Sequence, residues 1–149
     1  MADLGSRVAV RFVALAGVLA LAPCLASAAG CASPANVRFA AGASATELEG
    51  GVPRGERDCF VLQGRNEQRL AITQPNPVDD NIVFQIYQPP WTIRRTDAGW
   101  AFGGIALPGS EETRDTRAWT GALPASGRYL LVVGTSRGGG TYRLRIEIR

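Results

Sequence analysis

Residues 141–149 read TYRLRIEIR, in which Tyr142, Leu144, Ile146 and Ile148 alternate with Arg143, Arg145, Glu147 and Arg149. A period of two puts the apolar side chains on one face of an extended chain and the charges on the other. It marks a strand with one buried face and one wet face. Upstream, Tyr129 to Val133 is a short apolar run of strand type. Between the two lies Gly134-Thr135-Ser136-Arg137-Gly138-Gly139-Gly140, rich in turn formers. The pattern predicts a terminal β-hairpin whose glycine-rich tip carries one arginine. A polar loop held on a rigid scaffold suits recognition.

The chain before this run is punctuated throughout by glycine and proline, and helix-period stretches are missing. Strands are predicted at 36–40, 45–50, 58–63, 69–73, 81–88, 118–123, 128–134 and 141–149. Within them Phe60 and Leu62 share a face, as do Leu70 and Ile72, and Ile82, Phe84 and Ile86 form a third set. Short strands at regular spacing, separated by turn signals, predict an all-β fold: an antiparallel β-sandwich of about eight strands. Residues 88–117 are the least regular, with Pro89-Pro90, Trp91, Trp100, Gly103-Gly104 and Glu111-Glu112. So long a stretch without structure is unusual in a compact domain. It reads as an irregular insertion or functional loop, or as a further hairpin pairing 91–95 with 99–105.

The first 28 residues read as a secretory leader rather than as part of the fold. Arg7 and Arg11 form a basic region, 12–25 is almost wholly apolar, and Ala26-Ser27-Ala28 is a small-residue cleavage pattern. The apolar run is short of the roughly 20 residues a membrane-spanning helix needs. Cleavage after Ala28 leaves 29–149 as one domain in the periplasm or outside the cell. Cys24 departs with the leader, and Cys31 and Cys59 remain. An even pair in an oxidising compartment reads as a disulfide. The competing reading takes Ala28-Ala29-Gly30-Cys31 as a lipobox, with Cys31 carrying a lipid anchor.

Charge and composition exclude several functions. Loss of Asp3, Arg7 and Arg11 with the leader takes the formal net charge from +3 to about +2, too slight to argue for nucleic acid or an anionic membrane. All 16 basic residues are arginine, whose planar fork grips carboxylates bidentately as lysine cannot. There is no histidine, so no Ser–His or Cys–His nucleophile and no histidine zinc site can be built. Gly134-Thr135-Ser136-Arg137-Gly138 matches a nucleophile elbow in letters only, because a strand follows it and the base is missing. Asp79-Asp80-Asn81, with Asp97 or Glu111-Glu112, follows no recognised calcium loop. Nothing places two carboxylates at the separation a glycosidase requires. The sequence therefore assigns no cofactor and no catalytic residue. Trp91 and Trp100 have two readings, stacking on sugars or filling a core edge, and Trp119 reads as core.

Val37-Arg38-Phe39, Gly42-Ala43-Ser44, Gly50 with Val52, and Asp58 with Phe60 form the first part of a series of motifs. Gln68-Arg69-Leu70, Asn81-Ile82-Val83, Leu123-Pro124-Ala125-Ser126-Gly127-Arg128-Tyr129 and the closing strand continue it. In these motifs the chain from 37 to 149, apart from the inserted segment 88–117, resembles the bacterial inhibitors of goose-type lysozyme. The resemblance implies a periplasmic β-sandwich related to the pre-peptidase C-terminal domain. It further implies that a loop enters the acidic substrate cleft of a lysozyme, where arginine pairs with carboxylates. Arg137, flanked by Ser136 and Gly138, stands at the place of a family loop arginine. The family's second loop arginine is replaced by the Gly138-Gly139-Gly140 run. Arg54-Gly55-Glu56-Arg57 stands where the family carries an aromatic, and Arg54 or Arg57 would supply a substitute charge. The alternative implied function is a non-catalytic binding module for an envelope glycan, peptide or protein, working through 88–117. A solvated loop arginine is the bland reading of Arg137.

Overall fold

The computed structural model describes residues 30–149, so the leader reading of 1–28 lies outside the described residues. Nine strands form two sheets: β1 Ala35–Asn36, β2 Ala45–Val52, β3 Asp58–Gly64, β4 Arg69–Thr73, β5 Ile82–Thr96, β6 Gly99–Ala106, β7 Trp119–Ala122, β8 Gly127–Thr135 and β9 Gly140–Ile148. One sheet has five strands in the order β1-β3-β8-β5-β6, and the other has four in the order β2-β9-β4-β7. All pairings are antiparallel except the short one between β1 and β3. The architecture is the all-β sandwich the alternation predicts.

The inner faces meet as the period-two pattern requires. Phe60 and Leu62 from β3, Ile82, Phe84 and Ile86 from β5, and Tyr129, Leu131 and Val133 from β8 pack against Leu70 and Ile72 of β4 and Tyr142, Leu144 and Ile146 of β9. The LPASGRY segment closes one end. Leu123 is buried in this core, and the Tyr129 hydroxyl donates to the Ala125 carbonyl at 2.6 Å. One polar tie crosses the core: the Tyr142 hydroxyl donates to Asp58 Oδ2 at 2.7 Å. Burial raises the Asp58 carboxyl above its ordinary range against the lowering effect of that bond.

The predicted terminal hairpin is corrected. β8 and β9 are not hydrogen-bonded to each other; β8 lies in the five-stranded sheet between β3 and β5, and β9 in the four-stranded sheet between β2 and β4. The glycine-rich link is an arch from sheet to sheet. The physical reason lies in the two burial patterns. β8 is buried at every position from Tyr129 to Gly134, whereas β9 alternates buried and exposed. A strand covered on both faces and one covered on a single face belong to different surroundings.

The irregular reading of 88–117 is corrected over its first half, where the alternative reading, a hairpin of 91–95 with 99–105, is the one found. β5 continues to Thr96 and pairs with β6, from Thr96 opposite Gly99 to Tyr87 opposite Ala106. The ladder shifts between Gln88 and Thr92, where Pro89 and Pro90 have no N–H to donate. Beyond that bulge the hairpin doubles back over the outer face of its own sheet. Trp91, Ile93, Trp100 and Phe102 pack there on Cys59, Tyr87, Leu130 and Val132. Trp91 donates its indole N–H to the Arg128 carbonyl at 2.7 Å. Residues 107–118 are irregular but fixed: Leu107, Ser110 and Thr116 are buried, and Ser110 Oγ donates to the Leu107 carbonyl at 2.9 Å. Trp119 is half-buried against the main core, and its N–H donates to the Pro108 carbonyl at 2.9 Å.

The N-terminal segment completes the same cover. A disulfide joins Cys31 to Cys59 with Cα atoms 4.7 Å apart, and both cysteines are buried in the outer cluster. In this structure the Cys31 sulfur is thus engaged with Cys59 rather than carrying the thioether of a lipid anchor. Among the described residues no helix is long and apolar enough to cross a membrane.

Candidate functional site

Two arches stand side by side at one end of the sandwich. Residues 53–57 link β2 to β3, and residues 136–139 link β8 to β9. Their feet are paired in both sheets, Val52 opposite Gly140 and Asp58 opposite Val133. The arches are therefore held in register by the ladders beneath them. Between them is an open cleft of about 410 Å³ lined by Arg54, Gly55, Arg57, Thr135, Ser136, Arg137 and Gly138. The five residues nominated from sequence for partner binding all lie on it, although Arg54 and Ser136 are 82 positions apart in the chain. Thr135 and Gly55 join them, and neither carried a sequence signal for that role.

The glycines account for how closely the arches fit. A Cβ at Gly139 would lie 3.0 Å from the Val52 carbonyl oxygen and 3.4 Å from the Arg54 nitrogen. A Cβ at Gly134 would lie 2.6 Å from Cδ of Arg57, so the arginine stem lies across a bare backbone. Gly139, within the Gly138-Gly139-Gly140 run, is thus used for close backbone packing.

The later arch is pinned from a third segment. Asn81 Nδ2 donates to the Arg137 carbonyl at 2.5 Å and the Gly139 carbonyl at 2.9 Å. The Ser136 backbone N–H donates to the Asn81 carbonyl at 2.8 Å. Asp79 Oδ2 accepts from the Thr141 backbone N–H at 2.7 Å. The Arg137 guanidinium stands in solvent and pairs with Asp80 at 3.1 Å, the two side chains being 75% and 85% exposed. An ion pair so exposed is weak, so the guanidinium can exchange Asp80 for another carboxylate. Asp79 and Asp80 are thus occupied by chain groups. Among the described residues no three His, Cys, Asp or Glu side chains gather as metal ligands.

The earlier arch is a tight turn, with the Glu56 N–H donating to the Pro53 carbonyl at 3.0 Å and Gly55 at φ +82°. Arg57 Nη1 donates to the Glu56 carbonyl at 2.8 Å. Among the described residues no ion pair joins Arg54 or Arg57 to a carboxylate. The Glu56 side chain turns away to the β5–β6 hairpin. It accepts from Arg95 Nη1 at 3.2 Å and from the Trp100 indole N–H at 3.0 Å. These bonds, Arg95 first and Trp100 second, hold its carboxyl below the ordinary range. The cleft thus presents guanidinium groups and backbone rather than an acid and a base. That chemistry suits gripping carboxylates.

Comparison with known proteins gives one kind of answer. No protein-family model matches the sequence, and no curated protein matches it. Solved structures do. A periplasmic inhibitor of g-type lysozyme from Aeromonas hydrophila is 24% identical, with a TM-score of 0.57 over 78% of this chain and 96% of that one. The g-type lysozyme inhibitor of Salmonella Typhimurium is 20% identical, with a TM-score of 0.52 over 78% and 97%. A mutant of the g-type lysozyme inhibitor from Escherichia coli is 19% identical, with a TM-score of 0.54 over 78% and 97%. At these identities the likeness establishes a shared fold across nearly the whole of each inhibitor.

Proposed function

We propose that this protein is a periplasmic, non-catalytic inhibitor of a lysozyme, with the g-type as its target. The double-arch cleft would face the acidic substrate groove of the enzyme. Arg137 would carry the main contact, leaving Asp80 for a catalytic-cleft carboxylate. Arg54 and Arg57 would add charge from the neighbouring arch, and Ser136 and Gly138 would shape the tip. The observation that carries this reading is the gathering of Arg54, Arg57, Ser136, Arg137 and Gly138 on one cleft of about 410 Å³. The shared fold with three g-type lysozyme inhibitors supports it. A charge-assisted pair formed in a desolvated groove is strong and directional.

The test is a turbidity assay of mature protein against goose-type, chicken-type and invertebrate-type lysozymes. Inhibition of the goose type alone is the expected outcome. Arg137→Ala should weaken it by about 2 kcal/mol, roughly thirtyfold in potency, as for an interface hot spot. Unchanged potency in that variant would remove Arg137 from the role. Binding to envelope extract with no lysozyme inhibited would instead favour a non-catalytic envelope-binding module.

A further inference from the structure

The hairpin that covers the five-stranded sheet ends at the cleft. β5 leaves the arch end of the molecule, where Ile82 lies opposite Thr135, and runs to the far end, where Tyr87 lies opposite Leu130. After the bulge at 88–92 the hairpin comes back, because Arg95 and Trp100 reach Glu56 in the 53–57 arch. Arg95 also lies over the Trp100 ring, its Cζ 4.9 Å from the centroid. Glu56 therefore receives an ion pair and an indole hydrogen bond on one carboxylate, from residues 39 and 44 positions away. The same residue closes the turn that carries Arg54, and its carbonyl accepts from Arg57.

We infer that the β5–β6 hairpin is a strut for the cleft, with Arg95 and Trp100 acting through Glu56 as positioning residues for Arg54 and Arg57. None of the three lines the cleft. Their effect on a partner is exerted by fixing one wall, so that the arginines there meet the partner in one arrangement rather than many. This rests on the reading of the double-arch cleft as the docking surface.

The experiment has two arms. In the first, amide hydrogen exchange is measured on the mature protein alone, for wild type, Glu56→Gln and Trp100→Phe. Both variants should speed exchange at the Glu56 amide, which the Pro53 carbonyl holds, about tenfold while the β8 and β9 amides keep their protection. Unaltered exchange at Glu56 overturns the strut, whatever the partner turns out to be. In the second arm, affinity for goose-type lysozyme is measured for wild type, Glu56→Gln, Arg54→Ala and the double variant. Glu56→Gln should weaken binding about tenfold, and Arg54→Ala should cost less in its presence than in wild type, because the two act through one wall. Strict additivity would overturn the inference. A wild-type protein that binds no lysozyme would sink the functional proposal alone, and the exchange arm would still decide the strut. A global loss of protection in Glu56→Gln would show a merely structural role, and Trp100→Phe, which keeps an aromatic ring of smaller size but removes the N–H donor, then decides between the two.

Discussion

On the outer face of the five-stranded sheet, Cys59, Leu130 and Val132 are sealed beneath the folded-back hairpin and the Cys31 segment. On the outer face of the four-stranded sheet, Arg143, Arg145 and Arg149 stand in solvent. The first face is apolar and needed a cover. The second is laced by cross-strand charges, with Glu47 opposite Arg145 and Glu49 opposite Arg143. The difference teaches that the residue pattern of a strand reports what lies over it. β8 reads as a continuous apolar run because both faces are covered, and β9 alternates because one is not.

The hardest blow to this contrast is Leu130→Ala. Leu130 is fully buried, on the covered face and not in the main core. If the hairpin is a true second core, truncation should cost about 3 kcal/mol in a denaturant titration. A loss under about 1 kcal/mol would mean that the cover rests loosely on its sheet and that the two outer faces differ less than their burial suggests.

That contrast also marks how far the sequence could be read. The inner faces were legible because each lies in a run of consecutive alternating residues: Ile82, Phe84 and Ile86 on one strand, Tyr142 to Ile148 on another. The chain reversal between β8 and β9 was legible from its glycines. The sheet each strand joins was not. Pairing β8 with its sequence neighbour β9 is the simplest local reading, and only the two-sided burial of Leu130 and Val132 speaks against it. The same apolar run calls for a cover, and Trp91, Ile93, Trp100 and Phe102 were the available candidates. Glu56 and Asn81 stayed invisible for a different reason. Their partners lie 39 to 58 positions away, and no local spacing encodes a hydrogen bond to a distant carbonyl or indole.

A smaller effect should come from the tie between the sheets. Tyr142→Phe removes the donor to buried Asp58 and should cost about 1–3 kcal/mol at neutral pH. Its pH dependence carries the sign. Asp58 titrates above its ordinary value near 3.8, because burial disfavours the ionised form. Stability from holding that proton is full below this value and is lost as pH rises through the native one. Without the tyrosine O–H the ionised form is worse placed, so the native value rises further. The deficit of the variant should thus be small in acid and grow as pH rises, levelling once Asp58 is ionised in both proteins. A deficit independent of pH would mean that Asp58 does not titrate within the measured range.

The smallest effect belongs to the open face. Arg143 Nε lies 2.6 Å from Glu49 Oε1, a close approach for an ion pair, yet the two side chains are 49% and 59% exposed. Solvent screens such a pair, and holding two long side chains in one geometry costs entropy. Arg143→Ala should therefore change unfolding free energy by less than about 1 kcal/mol. What remains should fade between low and high salt, as the Debye length shortens from about 30 Å at 0.01 M to about 3 Å at 1 M. The contrast with Leu130→Ala is then several-fold, on strands that contribute equally to the main core. A loss at Arg143 comparable to that at Leu130, and insensitive to salt, would break the comparison. It would mean that the arginine stem covers apolar surface of its sheet as the hairpin does on the other side.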